Sequence, residues 1–228
     1  MRRAPAIVLV VLLSILAAGC GGSSNKASSD TTGTAAAASC KKSDLNLVNS
    51  GQLTAGTDNP AFPPWFGGNE KAPWKVSDPY SGQGYESAVT YAVAKKLGFA
   101  KSEVKWIVVP FNTAFAPGPK KFDFDINQIS YKPARAKAVD FSDSYYDVNQ
   151  ALVVDLPTAF YVTAVQVPNG KILGQFPTVG TPEHFGMVFE KGNSLVSCVN
   201  DALAQLRADG TLKSLQAKWL QADAPVLK

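Results

Sequence analysis

The sequence predicts an α/β fold for residues 40–228, because two kinds of segment alternate along them. One kind is short and either rich in β-branched and aromatic residues or alternating between apolar and polar positions, as strands are. The other kind repeats apolar residues at helical spacing and ends at a glycine.

Three segments are predicted to form strands. Residues 51–57 (GQLTAGT) have the composition of a short strand and lead into a loop rich in proline and aromatic residues. Residues 104–111 are rich in β-branched and aromatic residues. Residues 122–129 (FDFDINQI) alternate apolar with polar residues, which is typical of a half-buried strand.

Three further segments are predicted to form helices. Over 85–97 an apolar residue recurs at every fourth position, and Gly98 follows where a C-terminal cap is needed. Residues 195–206 carry an apolar face at helical spacing. Gly210 ends that helix, and a second apolar face over 211–220 completes a C-terminal helix pair.

Residues 1–19 have the features of a signal peptide. Arg2 and Arg3 precede an apolar run over 7–18, which is shorter than the roughly 20 residues needed to span a bilayer. The run ends in LAAGC, which resembles a bacterial lipobox whose cysteine is Cys20. We therefore expect cleavage before Cys20 and lipidation of its thiol; a plain secretory leader is the alternative.

Residues 20–39 are predicted to be a flexible tether, because they are small and polar and cannot bury enough apolar surface to fold. Together with the leader they predict a domain held at the outer face of the cell membrane by a lipid anchor. The formal charge of +4 is scattered rather than gathered in a basic run, so nucleic acid is not an expected partner.

The three cysteines divide unevenly. If Cys20 carries lipid, Cys40 and Cys198 remain, and an even pair in an oxidising compartment predicts a disulfide. The alternative for Cys198 is a small core residue on the apolar face of its helix. Since His184 is the single histidine and no CxxC spacing occurs, we expect no metal site.

Several stretches, taken in order, resemble the amino-acid-type (family 3) extracellular solute-binding proteins of bacterial ABC importers. They extend from about residue 51 to 220, and the most specific is the pair 125–130 (DINQIS) and 133–142 (PARAKAVDFS). The others are 53–58 (LTAGTD) with its proline-rich loop, 154–159 (VDLPTA), 185–189 (FGMVF), 195–206, 209–212 (DGTL) and 218–219 (KW).

The resemblance implies a periplasmic-binding-protein-like fold, in which two α/β lobes close around a ligand. Lobe 1 is expected to comprise 40–150 and 186–228. The 35 residues of 151–185 would be a remnant of lobe 2, which is shorter than the roughly 50 residues of a small domain. We therefore predict one near-complete lobe with a truncated second lobe.

The resemblance also implies where a ligand would bind. Arg135 matches the arginine that binds the ligand's carboxylate, for which a planar guanidinium is suited, and Asp155 matches the acid that holds the α-amino group. The remaining expected ligand-binding residues are the polar residues Gln128, Ser130 and Asp58 and the aromatic residues Phe62 and Trp65. Phe62 matches an aromatic wall of the pocket, to which Trp65 could add, and the alternative for both aromatics is packing in a loop or in the core.

Two residues depart from the family's pattern beside Arg135. Lys132 stands where the family usually has threonine or serine, and Ala134 stands where it often has glutamate. Lys132 removes a hydroxyl and adds a positive charge near the expected carboxylate. This change reshapes ligand preference, unless the lysine points into solvent.

The expected function is that of a lipid-anchored, extracytoplasmic component of an ABC importer. It would bind a polar amino acid through the α-carboxylate and α-amino groups, without a cofactor, and deliver it to a membrane permease. Because half the pocket wall would be missing, we expect the ligand to stay partly hydrated and to bind weakly. A ligand-independent interaction module and a non-functional truncated paralogue are the alternatives.

An enzyme on the same fold, such as a dehydratase-like or peptidoglycan-cleaving relative, would need positioned acid–base groups. Glu86 and Glu103 are expected on helix surfaces or loops, and Asp123 and Asp125 as solvent-facing residues of one strand. These expectations exclude a catalytic pair, so no catalytic residue is predicted.

Overall fold

The computed structural model describes residues 39–148, 155–166, 174–177 and 180–220. The predicted signal peptide, Cys20 and all of the predicted tether except Ser39 lie outside the described residues. Within the described part of the chain, no helix is long and apolar enough to cross a membrane.

Seven strands and five helices are numbered in chain order over these residues. The strands are β1 (Leu53–Thr57), β2 (Val104–Val108), β3 (Phe124–Asp125), β4 (Val139–Phe141), β5 (Tyr146–Val148), β6 (Glu183–Phe185) and β7 (Val188–Glu190). The helices are α1 (Tyr85–Lys96), α2 (Phe111–Ala114), α3 (Leu156–Tyr161), α4 (Leu195–Ala208) and α5 (Thr211–Leu220). A π-helical turn, Val162–Gln166, continues α3.

Five strands form the main sheet in the order β2-β1-β3-β7-β4. Strand β1 pairs in parallel with β2 and β3, and β7 runs antiparallel between β3 and β4. Every residue of β1 is buried, as expected for a central strand covered on both faces. This mixed sheet with its helices confirms the predicted α/β class.

Helices α1, α4 and α5 pack against one another and against the sheet in the larger of two apolar clusters. The predicted stripe of α1 is buried throughout, at Tyr85, Val89, Val93 and Leu97. Gly98 has a φ of +84°, the left-handed conformation that favours glycine after a helix. The predicted helix therefore forms, and its last helical residue is Lys96.

Two predicted strands are shorter than their sequence patterns indicated. The strand expected over 104–111 ends at Val108, because Pro110 cannot donate to a sheet ladder and instead precedes α2. The strand expected over 122–129 pairs only at Phe124–Asp125. Gln128 has a φ of +48°, which interrupts the extended backbone.

A disulfide links the beginning of the described chain to α4. The sulfur atoms of Cys40 and Cys198 are 2.11 Å apart, and the Cα atoms are 5.3 Å apart. Cys198 is also buried in the larger apolar cluster, so it is both a disulfide partner and a core residue.

The second lobe is incomplete. Strands β5 and β6 form a separate two-stranded antiparallel sheet, with Val148 opposite Glu183. Between them the described residues contain α3 and the π-helical turn, but no strand that pairs into a sheet of its own. Strand β7 then returns the chain to the main sheet, so the architecture is one near-complete lobe with a truncated second lobe.

Candidate functional site

A cavity of about 760 Å³ lies between lobe 1 and the first turns of α3. Aromatic rings and carboxylates are its most prominent lining groups. The aromatic residues are Phe62, Trp65, Phe111, Tyr161 and Phe185, and the acidic residues are Asp58, Asp155 and Glu183. Asn127, Gln128, Ser130 and Thr158 add polar groups. Aromatic walls combined with convergent polar groups are found in small-molecule sites.

Six of the seven ligand-binding residues predicted from the sequence line this cavity. They are Asp58, Phe62, Trp65, Gln128, Ser130 and Asp155. Arg135 does not line it. Its Nη1 donates to the carbonyl oxygen of Ser130 at 3.0 Å, and its guanidinium carbon is 4.2 Å from the ring centre of Phe115. The guanidinium is therefore held at the margin of the cavity, behind Ser130.

Asp155 caps helix α3 from inside the cavity. Its Oδ1 accepts a hydrogen bond from the backbone nitrogen of Thr158 at 2.9 Å, and Oδ2 accepts one from Thr158 Oγ1 at 2.9 Å. A carboxylate at this position satisfies amide groups that the first turn leaves unpaired. The same local sequence, Asp-Leu-Pro-Thr, therefore begins α3 and directs a negative charge to the cavity.

The two predicted aromatic wall residues differ in burial. Phe62 is 38 % exposed and meets Tyr161 of α3 edge to face, with ring centres 5.4 Å apart. Trp65 is 2 % exposed and packs edge to face against Tyr85, Tyr146 and Phe185. Phe62 therefore joins lobe 1 to α3, whereas Trp65 combines core packing with a place in the cavity wall.

Gln128 lines the cavity but is hydrogen-bonded away from it. Its backbone nitrogen donates to Glu86 Oε1 at 2.6 Å, and its side-chain Nε2 donates to Glu86 Oε2 at 2.7 Å. These two bonds hold the residue in its left-handed conformation, which is costly for a side chain other than glycine. Both nitrogens of Gln128, a residue expected to bind ligand, are thus bonded to the protein.

Glu86 is buried, so its predicted place on a helix surface is wrong. It is 0 % exposed on the first turn of α1, and Tyr145 also donates to its Oε1, at 2.5 Å. Burial raises the pKa of the Glu86 carboxyl to about 7, against the opposing effect of these hydrogen bonds. The helical periodicity does not indicate this burial. The apolar stripe of α1 begins at Tyr85 and recurs at every fourth residue, so the adjacent position of Glu86 lies outside it.

Asp123 and Asp125 are also buried, and the prediction that they face solvent is wrong. Asp123 accepts hydrogen bonds from the backbone nitrogens of Val48 at 2.7 Å and Thr54 at 2.6 Å. Asp125 has no hydrogen-bond partner among the described residues, and burial raises the pKa of its carboxyl well above the usual value. At Gly56 a Cβ atom would lie 2.6 Å from Asp125 Oδ2, so this pairing needs glycine.

The family model described as "Bacterial extracellular solute-binding proteins, family 3" matches residues 54–222. That span covers most of the chain and includes nearly all of the structure described above. The chain belongs to this family. No curated protein shows a significant match to it.

Solved structures with the same fold are similar to this solute-binding protein over most of their length. An ancestral arginine-binding protein bound to arginine is 23 % identical with a TM-score of 0.54, and the match covers 74 % of this chain and 98 % of that one. The arginine-, lysine-, histidine-binding protein ArtJ from the thermophilic bacterium Geobacillus stearothermophilus is 18 % identical with a TM-score of 0.55, over 76 % and 96 % of the two chains. At these identities the likeness establishes the fold.

Glu183 is a cavity residue of this solute-binding protein that sequence reasoning missed. It lies on β6, and its Oε1 is 2.7 Å from Lys132 Nζ. Hydrogen bonds from Lys132 and Ser130, with the nearby charge of Arg135, hold the pKa of the Glu183 carboxyl below its usual range. Lys132, which departs from the family's pattern, was the signal in the sequence for a charged partner at this position. Glu183 lies far from Lys132 along the chain, so the sequence did not identify it as that partner.

Proposed function

We propose that this protein binds a polar amino acid in the cavity and delivers it to the permease of an ABC importer. The observation that carries the proposal is the cavity lining, which brings six of the seven expected ligand-binding residues together, with two cations beside it. Asp155 supplies a carboxylate to the lining, and Ser130 supplies a hydroxyl group. Beside the lining, Arg135 donates to the carbonyl oxygen of Ser130, and Lys132 pairs with Glu183. A zwitterion with both an amino and a carboxylate group fits such an arrangement.

The α-amino group of the ligand would be held by Asp155. A hydrogen bond that involves a charged group contributes about 1.5–3 kcal/mol. Asp58, which accepts from the backbone nitrogens of Asn59 and Phe111, adds a second carboxylate to the cavity. This negative charge favours a ligand with a cationic side chain, in keeping with the arginine named as ligand of one structural relative.

The ligand's α-carboxylate would be held by Ser130 with the cations beside it. A guanidinium has five N–H donors in a planar fork, and the carbonyl oxygen of Ser130 accepts from one of those of Arg135. Lys132, which replaces a hydroxyl residue of the family's pattern, adds a second cation at this position. Phe62 and Tyr161 would cover the aliphatic part of the ligand.

The protein would work outside the cytoplasm, held by a lipid on Cys20 and by the tether over 20–39. The Cys40–Cys198 disulfide supports this location, because disulfides persist in oxidising compartments. The lobes would be assigned as 40–150 with 186–228, and 151–185. The incomplete second lobe favours one alternative, a ligand-independent interaction module, whose function would survive replacement of Arg135 by alanine.

Isothermal titration of the folded protein against the common L-amino acids tests the proposal. We expect Asp155→Asn to lower the affinity about tenfold or more, since one charge-assisted hydrogen bond to the amino group is weakened. Asparagine also caps helices well, so α3 should persist.

Asp147→Asn is the matched control. It removes the same charge from an exposed residue of β5 that accepts from Ser144 and does not line the cavity. Its affinity should equal that of the unchanged protein. The absence of heat with every amino acid, or an equal loss in both variants, contradicts the proposed function.

A further inference from the structure

Glu183 projects its carboxylate to the group of donors beside Ser130. The backbone of β6 runs beside the segment that contains Ser130, since Tyr131 donates its backbone nitrogen to the carbonyl oxygen of His184 at 2.9 Å. Ser130 and Phe185 also form an isolated antiparallel bridge. The pairing of these two segments brings Glu183 to the same side of the cavity as Lys132 and Ser130.

The contacts of Glu183 are those that an incoming carboxylate would need. Lys132 Nζ is 2.7 Å from its Oε1, Ser130 is its second hydrogen-bond partner, and Arg135 adds a favourable charge. A carboxylate recognised by a hydroxyl, an ammonium group and a guanidinium is the same chemistry as the carboxylate of an amino acid.

We propose that Glu183 is an internal competitor that occupies the carboxylate subsite and is displaced by the carboxylate of the ligand. The proposal rests on the proposed function above. It makes Glu183 a specificity-determining residue, because its competition affects ligands that carry a carboxylate and not amines that lack one.

Glu183 and the ligand's carboxylate would compete because both are negatively charged and both need the same donors, Lys132 and Ser130. Two carboxylates at one group of donors repel each other, so the ligand enters as Glu183 moves away. The pair with Lys132 is suited to such exchange, because the two side chains are 52 % and 36 % exposed. Exposed ion pairs contribute little to stability and can be broken at small cost.

The test compares L-arginine with agmatine, its counterpart without the carboxylate, in the unchanged protein and in Glu183→Gln. Removal of the competing charge should raise the affinity for arginine about fivefold, the effect of losing one exposed ion pair. The affinity for agmatine should stay the same or fall, because the cavity loses a negative charge. Titration calorimetry measures both.

Glu103→Gln is the matched control. Its side chain is 37 % exposed and pairs with Lys42 at 2.6 Å, outside the cavity lining, so the variant loses an equivalent ion pair elsewhere. It should bind both probes as the unchanged protein does. Thermal unfolding followed by circular dichroism establishes that both variants are folded.

The outcomes separate this inference from the proposed function. If the unchanged protein binds arginine and Glu183→Gln binds it no more tightly, or gains equally for agmatine, the competition is overturned while the proposed function stands. If neither protein binds arginine or any other amino acid, the proposed function is overturned and the competition with it. A gain for arginine alone supports both.

Discussion

At the scale of single residues, Glu86 holds the cavity residue Gln128 in place. It accepts two hydrogen bonds from Gln128 and one from Tyr145, and so connects α1, the segment after β3 and the segment before β5. Gln128 depends on these bonds, because a positive φ is energetically unfavourable for a residue with a side chain, whereas glycine adopts it readily. The Glu86 carboxyl therefore loses its solvation on burial, and its hydrogen bonds fix the conformation of Gln128.

The raised pKa of Glu86 predicts a dependence of stability on pH. Below its usual pKa of 4.5 the carboxyl is protonated in both states. Between that value and about 7 the unfolded chain loses the proton first, so stability falls as pH rises. A pKa difference of this size corresponds to about 3 kcal/mol, fully lost above pH 7.

Glu86→Gln removes the titrating group and keeps an acceptor for Tyr145 and Gln128. We expect the stability of this variant to fall less than that of the unchanged protein between pH 4.5 and 8, with the difference close to the contribution of Glu86. Urea unfolding at the two pH values measures it. Asp123 and Asp125 are present in both proteins, so an equal fall in both would contradict the assignment.

Among the elements, α4 is the one tied covalently to the beginning of the lobe. Its inner face, which includes Leu195, Val199 and Leu203, packs into the larger apolar cluster. The disulfide to Cys40 closes a loop with a sequence separation of 158 residues. Such a link restricts the unfolded chain and adds to the stability that packing supplies.

Cys40→Ser breaks this link and leaves Cys198 as a small buried residue. We expect a loss of about 2–5 kcal/mol in the free energy of unfolding, the usual effect of removing a native disulfide. Denaturant titration of the variant and of the unchanged protein, with and without reductant, measures the loss. Reduction should have no further effect on the variant. Equal midpoints for variant and unreduced protein would contradict the prediction.

Helix α3, together with β6, brings residues of the segment 151–185 to the site. Its first turn brings Asp155, Pro157 and Thr158 to the cavity, and Tyr161 reaches Phe62 of lobe 1. Phe62 lies in a loop before α1 and remains partly exposed. One short helix and the residues of β6 therefore line the cavity where a full second lobe would be expected.

On the scale of the whole molecule, we expect the imbalance between the lobes to limit how strongly a ligand is held. Lobe 1 has a five-stranded sheet and two apolar clusters, whereas the described part of 151–185 has α3, the π-helical turn that follows it and β6. A charged ligand covered on one side keeps part of its hydration and forms fewer contacts. Affinity depends on such desolvated contacts more than on the volume of the cavity.

We therefore expect the monomer to bind its amino acid with a Kd above about 1 µM, which corresponds to a binding free energy smaller than about 8 kcal/mol. Titration calorimetry measures the affinity, and sedimentation establishes that the protein is monomeric. Small-angle X-ray scattering should detect no change in the radius of gyration on binding, since a truncated second lobe contributes little mass. Tight stoichiometric binding by the monomer would contradict the prediction.

The sequence by itself determined the fold class, the main helices and the family. Helical spacing identified α1 through its stripe from Tyr85 to Leu97, because a helix must bury one face wherever it packs. The ordered motifs around 125–142 indicated the family, whose model matches 54–222. These signals are local or depend on order along the chain, so they can be read without coordinates.

Only the tertiary structure decided which polar residues are buried and which meet in the cavity. Glu86 and Asp125 carry no mark of burial in the sequence, because the groups that surround them come from distant segments. The contact between Glu183 and Lys132 likewise depends on β6 pairing beside Ser130. A pattern in the sequence records the face that an element buries, whereas the partner of a single charged side chain is determined by how the elements pack.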